Sequence, residues 1–182
     1  MRKTDGPLLV LAGAGSGKTR VITRKIAWLV GNHALSPDRV AAVTFTNKAA
    51  REMKARAGSI LGEKTAAQVR ISTFHRLGLS ILRRECRRLG YRPGFSIFDA
   101  EDSAGLVREF VRRAGGDAKK NAPPIQWRIS AWKNAMVPPE RALAEAEDRL
   151  DQVAAGVYAE YQRNLRAYNA FDFDDLIGLP VT

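Results

Sequence analysis

The chain has 182 residues, 30 Lys and Arg against 19 Asp and Glu, a formal net charge of +11 and one cysteine. This length suits one domain, or one domain with a small insert, and is sufficient to bury a sizeable core. One cysteine and two histidines exclude an internal disulfide framework and a cysteine-based zinc cluster, and no apolar run is long enough to span a membrane. We therefore expect a cytoplasmic protein.

The positive charge is concentrated in the first half of the chain. Residues 1–92 carry 19 Lys and Arg and 5 Asp and Glu, whereas residues 93–182 carry 11 and 14. A strongly basic half beside a nearly balanced half indicates a polyanionic partner, such as nucleic acid, for the first half. A generic basic surface with no such partner is the alternative interpretation.

The first half alternates between short apolar runs, typical of strands buried on both faces, and amphipathic stretches with helical spacing. We predict buried strands at residues 7–12, 39–45 and 69–73, and helices at residues 19–30, 47–61 and 73–89. Thr46 or Asn47 is a suitable cap for the second helix. This alternation predicts a parallel α/β unit.

The pattern changes after Gly90, where Pro93, Gly94 and Asp99 mark a connection. The segment that follows has helical spacing and no strand pattern. We predict helices at residues 100–114, 125–134, 139–148 and 150–167, with a loop at residues 115–124. An all-helical segment therefore follows the α/β part of the chain.

The stretch AGAGSGKT, from Ala12 to Thr19, has the features of a phosphate-binding loop. The amide N–H groups of a Gly-rich turn can surround a β-phosphate, Lys18 can reach the β- and γ-phosphates, and the Thr19 hydroxyl can bind Mg²⁺. The pattern G-x-x-x-x-G-K-[ST] is met except at Ala12, where a small residue suffices. The predicted strand before it and helix after it provide the required context. A Gly-rich surface turn beside a chance Lys-Thr is the alternative.

Four separated blocks, AGAGSGKTRVIT, AVTFTNKAAREMKAR, ISTFHRLGLSILR and YNAFDFDDLI, resemble the UvrD/Rep/PcrA group of superfamily 1 DNA helicases. The resemblance implies an ATP-dependent 3′-to-5′ DNA helicase with a P-loop NTPase (RecA-like) α/β fold, a parallel sheet and an inserted all-helical subdomain. The implied domains are the first part of the RecA-like domain at residues 1–92, the helical insert at 93–170, and a return toward the RecA-like domain at 171–182, truncated before Walker B.

The same resemblance assigns site residues. The implied ATP- and Mg²⁺-binding residues are Ala12, Gly13, Ala14, Gly15, Ser16, Gly17, Lys18, Thr19 and Arg20, with Thr19 on the metal and Lys18 and Thr19 as the catalytic pair. The TFTNKAA and STFH blocks resemble motifs Ia and Ib, which contact single-stranded DNA. The implied DNA-binding residues are Phe45, Thr46, Asn47, Thr73 and His75.

The residue chemistry of these two blocks agrees with DNA binding. Each block lies where a predicted strand ends and a helix begins, so both are expected at the carboxyl edge of one sheet. Helix-start amides and hydroxyls suit a phosphate, and the face of Phe45 suits a base. A buried strand terminus for Phe45 and a structural role for His75 are the alternatives. The arginines between residues 83 and 88 indicate a solvated face, with one or two contacts to a DNA backbone.

The DFDD stretch at residues 172–175 does not have the pattern of Walker B, because its apolar residues follow the acidic ones instead of preceding them. In the resembling family the adenine-reading Gln would lie before Met1, Walker B after Thr182, and the γ-phosphate arginines on a second RecA-like domain. We therefore expect this chain to bind nucleotide and DNA weakly and hardly to hydrolyse ATP.

Two other interpretations remain open. One is a piece of an AddA- or RecB-like helicase–nuclease, although the compact spacing favours the Rep/UvrD group. The other is a non-catalytic DNA-binding module. A small-molecule P-loop kinase is disfavoured by the TFTNKAA and STFH blocks. The expected partners are single-stranded DNA and junctions between single- and double-stranded DNA, with no membrane.

Overall fold

The computed structural model describes residues 6–13, 15–32 and 35–181 and divides the chain into two compact units. Unit 1 extends to Phe74 and unit 2 begins at His75. Unit 1 contains α1 (Lys18–Asn32), β1 (Ala41–Thr44), α2 (Asn47–Leu61), α3 (Glu63–Gln68) and β2 (Arg70–Thr73). From the boundary onward follow α4 (Phe74–Glu85), β3 (Ser96–Ile97), α5 (Ala100–Arg113), α6 (Ala118–Asn134), α7 (Pro139–Ala144), α8 (Arg149–Ala167), β4 (Ala170–Phe171) and α9 (Asp175–Gly178).

Unit 1 is built on a two-stranded parallel sheet. Thr44 at the end of β1 is the register partner of Thr73 at the end of β2. Parallel strands require a crossover connection, which α2 and α3 supply. The apolar faces of the strands and of α1 and α2 form one core, made of Ile26, Val40, Ala42, Met53 and Val69.

Residues 7–12 do not form the predicted strand. They have no strand conformation, and Leu9 and Leu11 are 82% and 87% exposed. A strand buried on both faces needs pairing neighbours and covering helices from distant parts of the chain. Among the described residues of unit 1, only β1 and β2 pair, so the predicted three-stranded sheet is wrong in its first strand.

Unit 2 has a helical core between α5, α6 and α8. Val107, Ile125 and Leu165 are almost completely buried in it. Side-chain caps begin the helices: Asp99 starts α5 with a capping box, Asp117 starts α6, and Asp148 starts α8. Each cap supplies acceptors to backbone N–H groups that have no partner within the helix. The predicted helical character holds from α5 to α8, but the prediction of an all-helical segment missed β3 near its start and β4 at its end.

The predicted loop at residues 115–124 is wrong in its second part. Helix α6 begins at Ala118 and includes Pro123 and Pro124. A proline inside a helix removes a hydrogen-bond donor, but both prolines are exposed, so water can reach the carbonyls left without a partner. Burial of Ala122 and Ile125 on the opposite face stabilises the helix through this turn.

Other predicted bounds differ by smaller amounts. The helix predicted to end at residue 89 ends at Glu85 and continues as a 3₁₀ turn to Leu89. The helix predicted at residues 139–148 ends at Ala144. The short elements α3, β3, β4 and α9 were not predicted, because runs of two to six residues show no clear periodicity.

The last described residues pack against α4 and against the segment that connects α4 to α5. In the β3–β4 pair Ile97 lies opposite Phe171. The Phe171 ring is completely buried, with its centroid 4.1 Å from that of Tyr91 and 4.7 Å from that of Phe95. A Cβ on Gly78 of α4 would lie only 1.7 Å from the carbonyl oxygen of Leu176 in α9. The two helix backbones therefore meet at a position where only glycine fits.

Candidate nucleotide- and DNA-binding sites

The predicted phosphate loop forms a tight turn that leads directly into α1. Gly15 and Gly17 have φ values of 76° and 83°, which glycine adopts without steric cost. The Ser16 hydroxyl donates to the carbonyl oxygen of Gly13 at 2.7 Å and closes the turn. The turn ends where α1 begins, so the amide N–H groups of the helix start follow the glycines, a geometry suited to an anion. Ala14 lies outside the described residues.

The Lys18 side chain folds back over this turn. Its Nζ donates to the carbonyl oxygens of Ala12 at 3.1 Å and Gly13 at 2.7 Å. An ammonium has three N–H donors, so one of them is left for a ligand. Lys18 is also exposed to solvent. The turn therefore combines backbone donors with a reachable cation, which is the donor set that a polyphosphate requires.

Thr19 and Arg20 occupy the first turn of α1. Thr19 is half-buried, and its carbonyl oxygen accepts a hydrogen bond from the buried hydroxyl of Thr23 at 3.0 Å. Arg20 is exposed and lies next to Gly17. A threonine hydroxyl is a suitable oxygen ligand for Mg²⁺. The structure thus brings together all of the predicted nucleotide-binding residues that it describes.

Phe45 is the first residue after β1 and is 88% exposed. It is not the buried strand terminus that one alternative interpretation proposed. The Thr46 hydroxyl accepts a hydrogen bond from the amide of Ala49 at 3.1 Å and so caps α2, as one of the two predicted caps. That hydroxyl keeps its own proton for donation to another group. Asn47, the first residue of α2, is exposed.

The ends of β1 and β2 bring the two predicted DNA-binding blocks together in unit 1. Because Thr44 pairs with Thr73, the residues that follow them lie side by side, and the ring centroids of Phe45 and Phe74 are 5.5 Å apart. Thr73 itself is only 7% exposed, whereas Phe74 is 41% exposed. Phe74 is therefore the exposed side chain at this strand end, and it is not among the predicted site residues. An aromatic residue directly after a strand, as at Phe45, was the available signal.

In unit 2, His75 lies beside an exposed aromatic residue, Phe173, which is not among the predicted site residues. The ring centroids of His75 and Phe173 are 5.6 Å apart, and Phe173 is 51% exposed. A phenylalanine between the aspartates of the DFDD stretch was the available signal.

The DFDD stretch, residues 172–175, forms a turn that we call the acidic turn. Asp172 and Asp175 are buried, and both carboxylates contact Lys133 of α6, at 2.6 and 2.8 Å. Burial raises the pKa of Asp175 from 3.8 to about 6, the Lys133 charge lowers it and the Asp172 charge raises it. Burial also raises the pKa of Tyr161, whose hydroxyl donates to Asp172 at 2.9 Å. These carboxylates are therefore engaged within unit 2.

Four arginines in the last turn of α4 and in the 3₁₀ turn after it are exposed. They are Arg83, Arg84, Arg87 and Arg88. Arg88 pairs with Glu85 at 3.1 Å, and both side chains are solvent-accessible, so this ion pair adds little stability. The solvated face that the sequence predicted agrees with this exposure.

The whole chain is similar to known helicase sequences. The model of the UvrD/REP helicase N-terminal domain family matches residues 1–182. The chain is 50% identical over 175 residues to the ATP-dependent DNA helicase Rep of Escherichia coli (strain K12), an alignment that covers 96% of this chain and 26% of that protein. It is 46% identical over 178 residues to the ATP-dependent DNA helicase PcrA of Bacillus subtilis (strain 168), covering 97% of this chain and 24% of that protein.

The chain therefore spans about a quarter of the length of these relatives. No helix in the described parts of the chain is long and apolar enough to cross a membrane. The resemblance inferred from the four sequence blocks is confirmed, and this chain belongs to the UvrD/REP helicase N-terminal domain family.

Proposed function

We propose that this chain supplies ATP-binding and single-stranded-DNA-binding surfaces of an ATP-dependent helicase. The whole protein would act in the cytoplasm in DNA replication and repair, moving 3′ to 5′ along one strand and unwinding duplex DNA at junctions. Family membership and the relatives' name, ATP-dependent DNA helicase, support this proposal. The observation that carries it is the turn before α1, where Lys18 extends over two loop carbonyls with one N–H donor left.

The nucleotide would be ATP with Mg²⁺. Backbone N–H groups of the glycine turn and the start of α1 would bind the phosphates, Lys18 would neutralise their charge, and the Thr19 hydroxyl would bind the metal. Bound ATP would supply the β–γ phosphoanhydride bond, and transfer of its γ-phosphoryl group to water would drive movement along DNA. Arg20, exposed beside Gly17, would lie close to the nucleotide.

The single strand would contact the exposed residues at the strand ends. The rings of Phe45 and Phe74 would stack on bases, and the Thr46 hydroxyl and Asn47 amide would donate to phosphates. Thr73 would support this edge from its buried position at the end of β2. In unit 2, His75 and Phe173 would form a second aromatic contact. The net charge of +9 on residues 1–74 favours binding of the backbone, with an affinity that falls as salt rises.

We also propose that the 182-residue chain alone hydrolyses ATP very slowly. Positioning the attacking water requires an available acidic or amide side chain. The buried carboxylates of the acidic turn are engaged with Lys133 instead. Single-turnover hydrolysis of radiolabelled ATP, with and without DNA, measures this directly. A DNA-stimulated rate as fast as that of intact helicases would contradict the proposal.

Replacement of Lys18 tests the nucleotide site. We expect Lys18→Ala to weaken binding of fluorescent Mg-ATP by about tenfold or more, because a charge-assisted contact is lost. Lys64→Ala is the matched control, since it removes the same charge from an exposed position of unit 1. Equal affinities for Lys18→Ala and the wild type, with an unchanged effect of ATP on DNA binding, would favour the non-catalytic DNA-binding module.

Replacement of Phe45 tests the DNA site. We expect Phe45→Ala to weaken binding of a fluorescein-labelled oligodeoxythymidylate by about tenfold, because one base loses its stacking partner. Ile60→Ala removes another exposed apolar side chain of unit 1 and serves as control. Anisotropy titration at two salt concentrations separates the contribution of stacking to the affinity from that of phosphate contacts, because the latter falls as salt rises. An affinity of Phe45→Ala equal to that of the control would remove Phe45 from the proposed site.

A further inference from the structure

The acidic turn is fixed to the helical core by a buried ammonium. The Lys133 side chain is 4% exposed, and its Nζ lies 2.6 Å from Asp172 Oδ2 and 2.8 Å from Asp175 Oδ1. Tyr161 of α8 donates its hydroxyl to the same Asp172 oxygen at 2.9 Å. Side chains from α6 and α8 thus converge on two carboxylates that are three residues apart in one turn.

The remaining oxygens of the two carboxylates close the turn on itself. The amide of Asp175 donates to Asp172 Oδ1 at 2.9 Å, and the amide of Asp172 donates to Asp175 Oδ2 at 3.2 Å. Each carboxylate therefore uses one oxygen for the turn and the other for Lys133. The position of the turn's backbone is consequently tied to the position of one ammonium.

The two residues between these aspartates face outward. Phe173 is 51% exposed with its ring against His75, and Asp174 accepts a hydrogen bond from the Asn134 amide at 3.2 Å. Asn134 directly follows Lys133 in α6. Both contacts from α6 thus hold the segment that presents the Phe173 ring.

A buried ion cluster of this kind is a poor source of stability. Removing three charges from water costs free energy that their mutual attraction seldom exceeds, and apolar residues of similar volume often stabilise a core more. What the cluster does supply is a defined geometry, because charge-assisted hydrogen bonds are short and directional. The geometry defined here is that of the turn carrying Phe173.

We infer that Lys133 is a positioning residue for single-stranded DNA binding: it holds the acidic turn so that Phe173 and His75 present one aromatic surface to an unpaired base. This inference rests on the proposed function. Lys133 itself would not contact DNA. Through the acidic turn, it would make the affinity for DNA depend on the packing of α6.

A double-mutant cycle tests whether Lys133 acts through Phe173. The probe is the fluorescein-labelled oligodeoxythymidylate, titrated against the full chain by anisotropy. We expect Lys133→Met and Phe173→Ala each to weaken binding by about tenfold, and the double variant to weaken it by about tenfold as well. A double variant weakened by about a hundredfold would show independent effects and overturn the inference.

Arg128→Met is the matched control. Arg128 also lies on α6 and forms a partly buried ion pair with Asp151 of α8, so its replacement by Met similarly damages the helical core. We expect Arg128→Met to change DNA affinity by less than about twofold. In combination with Phe173→Ala, the effects of the two substitutions on the binding free energy should be additive. Equal loss of DNA affinity in Lys133→Met and Arg128→Met would mean that Lys133 has only a structural role.

A second variant covers the case in which Lys133→Met does not fold, because that variant leaves two buried carboxylates without a cation. Asp175→Asn keeps the Lys133–Asp172 pair, but its single amide oxygen replaces two oxygens that had separate donors. We expect it to fold, as judged by circular dichroism, and to weaken binding about threefold without further loss on Phe173→Ala. Unchanged affinity would overturn the inference. If the wild type itself does not bind the oligonucleotide, the proposed function fails as well, so the two failures are distinguishable.

Discussion

Units 1 and 2 differ in where their apolar side chains and charges lie. In unit 1 Leu9, Leu11 and Phe45 are more than four-fifths exposed, and residues 1–74 carry 13 Lys and Arg against 4 Asp and Glu. In unit 2 Phe171 and Leu165 are completely buried, and residues 75–182 carry 17 Lys and Arg against 15 Asp and Glu. Unit 1 thus exposes groups that suit phosphates and bases, whereas most of the stabilising contacts lie in unit 2.

The comparison teaches that, in unit 1, the side chains proposed to bind nucleotide and DNA are not those that form the core. Polar side chains in unit 2 cap helices or pair with one another in the interior, as Asp99 and Lys133 do. The polar side chains of the unit 1 turn before α1 bond mainly to the turn itself. Substitutions of the exposed side chains in unit 1 should therefore affect binding, whereas substitutions in the apolar core of unit 2 should affect stability.

The largest contrast is expected between Phe171 and Leu11. Phe171→Ala removes a completely buried ring that packs on Tyr91 and Phe95, at a cost of about 3–5 kcal/mol in the free energy of unfolding. Leu11→Ala removes a side chain that is 87% exposed and should change it by less than about 0.5 kcal/mol. Urea unfolding followed by circular dichroism measures both. A loss above about 1 kcal/mol for Leu11→Ala would show that this residue is buried in solution.

Two glycines of unit 2 should respond in opposite directions. Gly78→Ala places a Cβ 1.7 Å from the Leu176 carbonyl oxygen and should destabilise the chain by about 3 kcal/mol or more, because neither backbone can move freely. Gly156 is exposed and lies in the middle of α8, where an added Cβ meets no other atom. Gly156→Ala should therefore stabilise the chain by about 0.5–1 kcal/mol. Thermal unfolding distinguishes them, and similar melting temperatures would contradict the close approach of α4 and α9.

The smallest effect concerns pH. Because burial raises the Asp175 pKa from 3.8 to about 6, the folded chain binds this proton more tightly than the unfolded chain, and Asp175 lowers stability as pH rises from about 4 to 6. In Asp175→Asn, the free energy of unfolding should fall by about 1–3 kcal/mol less over this pH range than in the wild type. Glu147→Gln, an exposed carboxylate of the same unit, is the control. Identical pH profiles of unfolding for the wild type and Asp175→Asn would contradict a buried, ionised Asp175.

The parts of the fold that sequence predicted well are those with local causes. The strands β1 and β2 and the long helices follow from apolar periodicity, and the Thr46 cap follows from residue type. The turn before α1 could be predicted because positive φ favours glycine at Gly15 and Gly17. Much of the candidate nucleotide site therefore depends on residues close together in sequence.

The parts that could not be predicted depend on distant partners. Residues 7–12 have the composition of a buried strand, but strand formation needs neighbours that periodicity does not reveal. Pro123 and Pro124 suggest a loop, yet burial on the opposite face of α6 maintains the helix. The exposure of Phe173 follows from contacts of its neighbours with α6.

The amino-acid sequence by itself determined the family, the phosphate-loop chemistry and the change from an α/β part to a helical part, because each is written in short motifs or in a local period. Only the tertiary structure decided that Phe45 and Phe74 share an edge, and that Lys133 meets two aspartates 39 and 42 positions away. The reason is physical: local patterns set backbone conformation, whereas the partner of a buried charge is set by how distant elements pack.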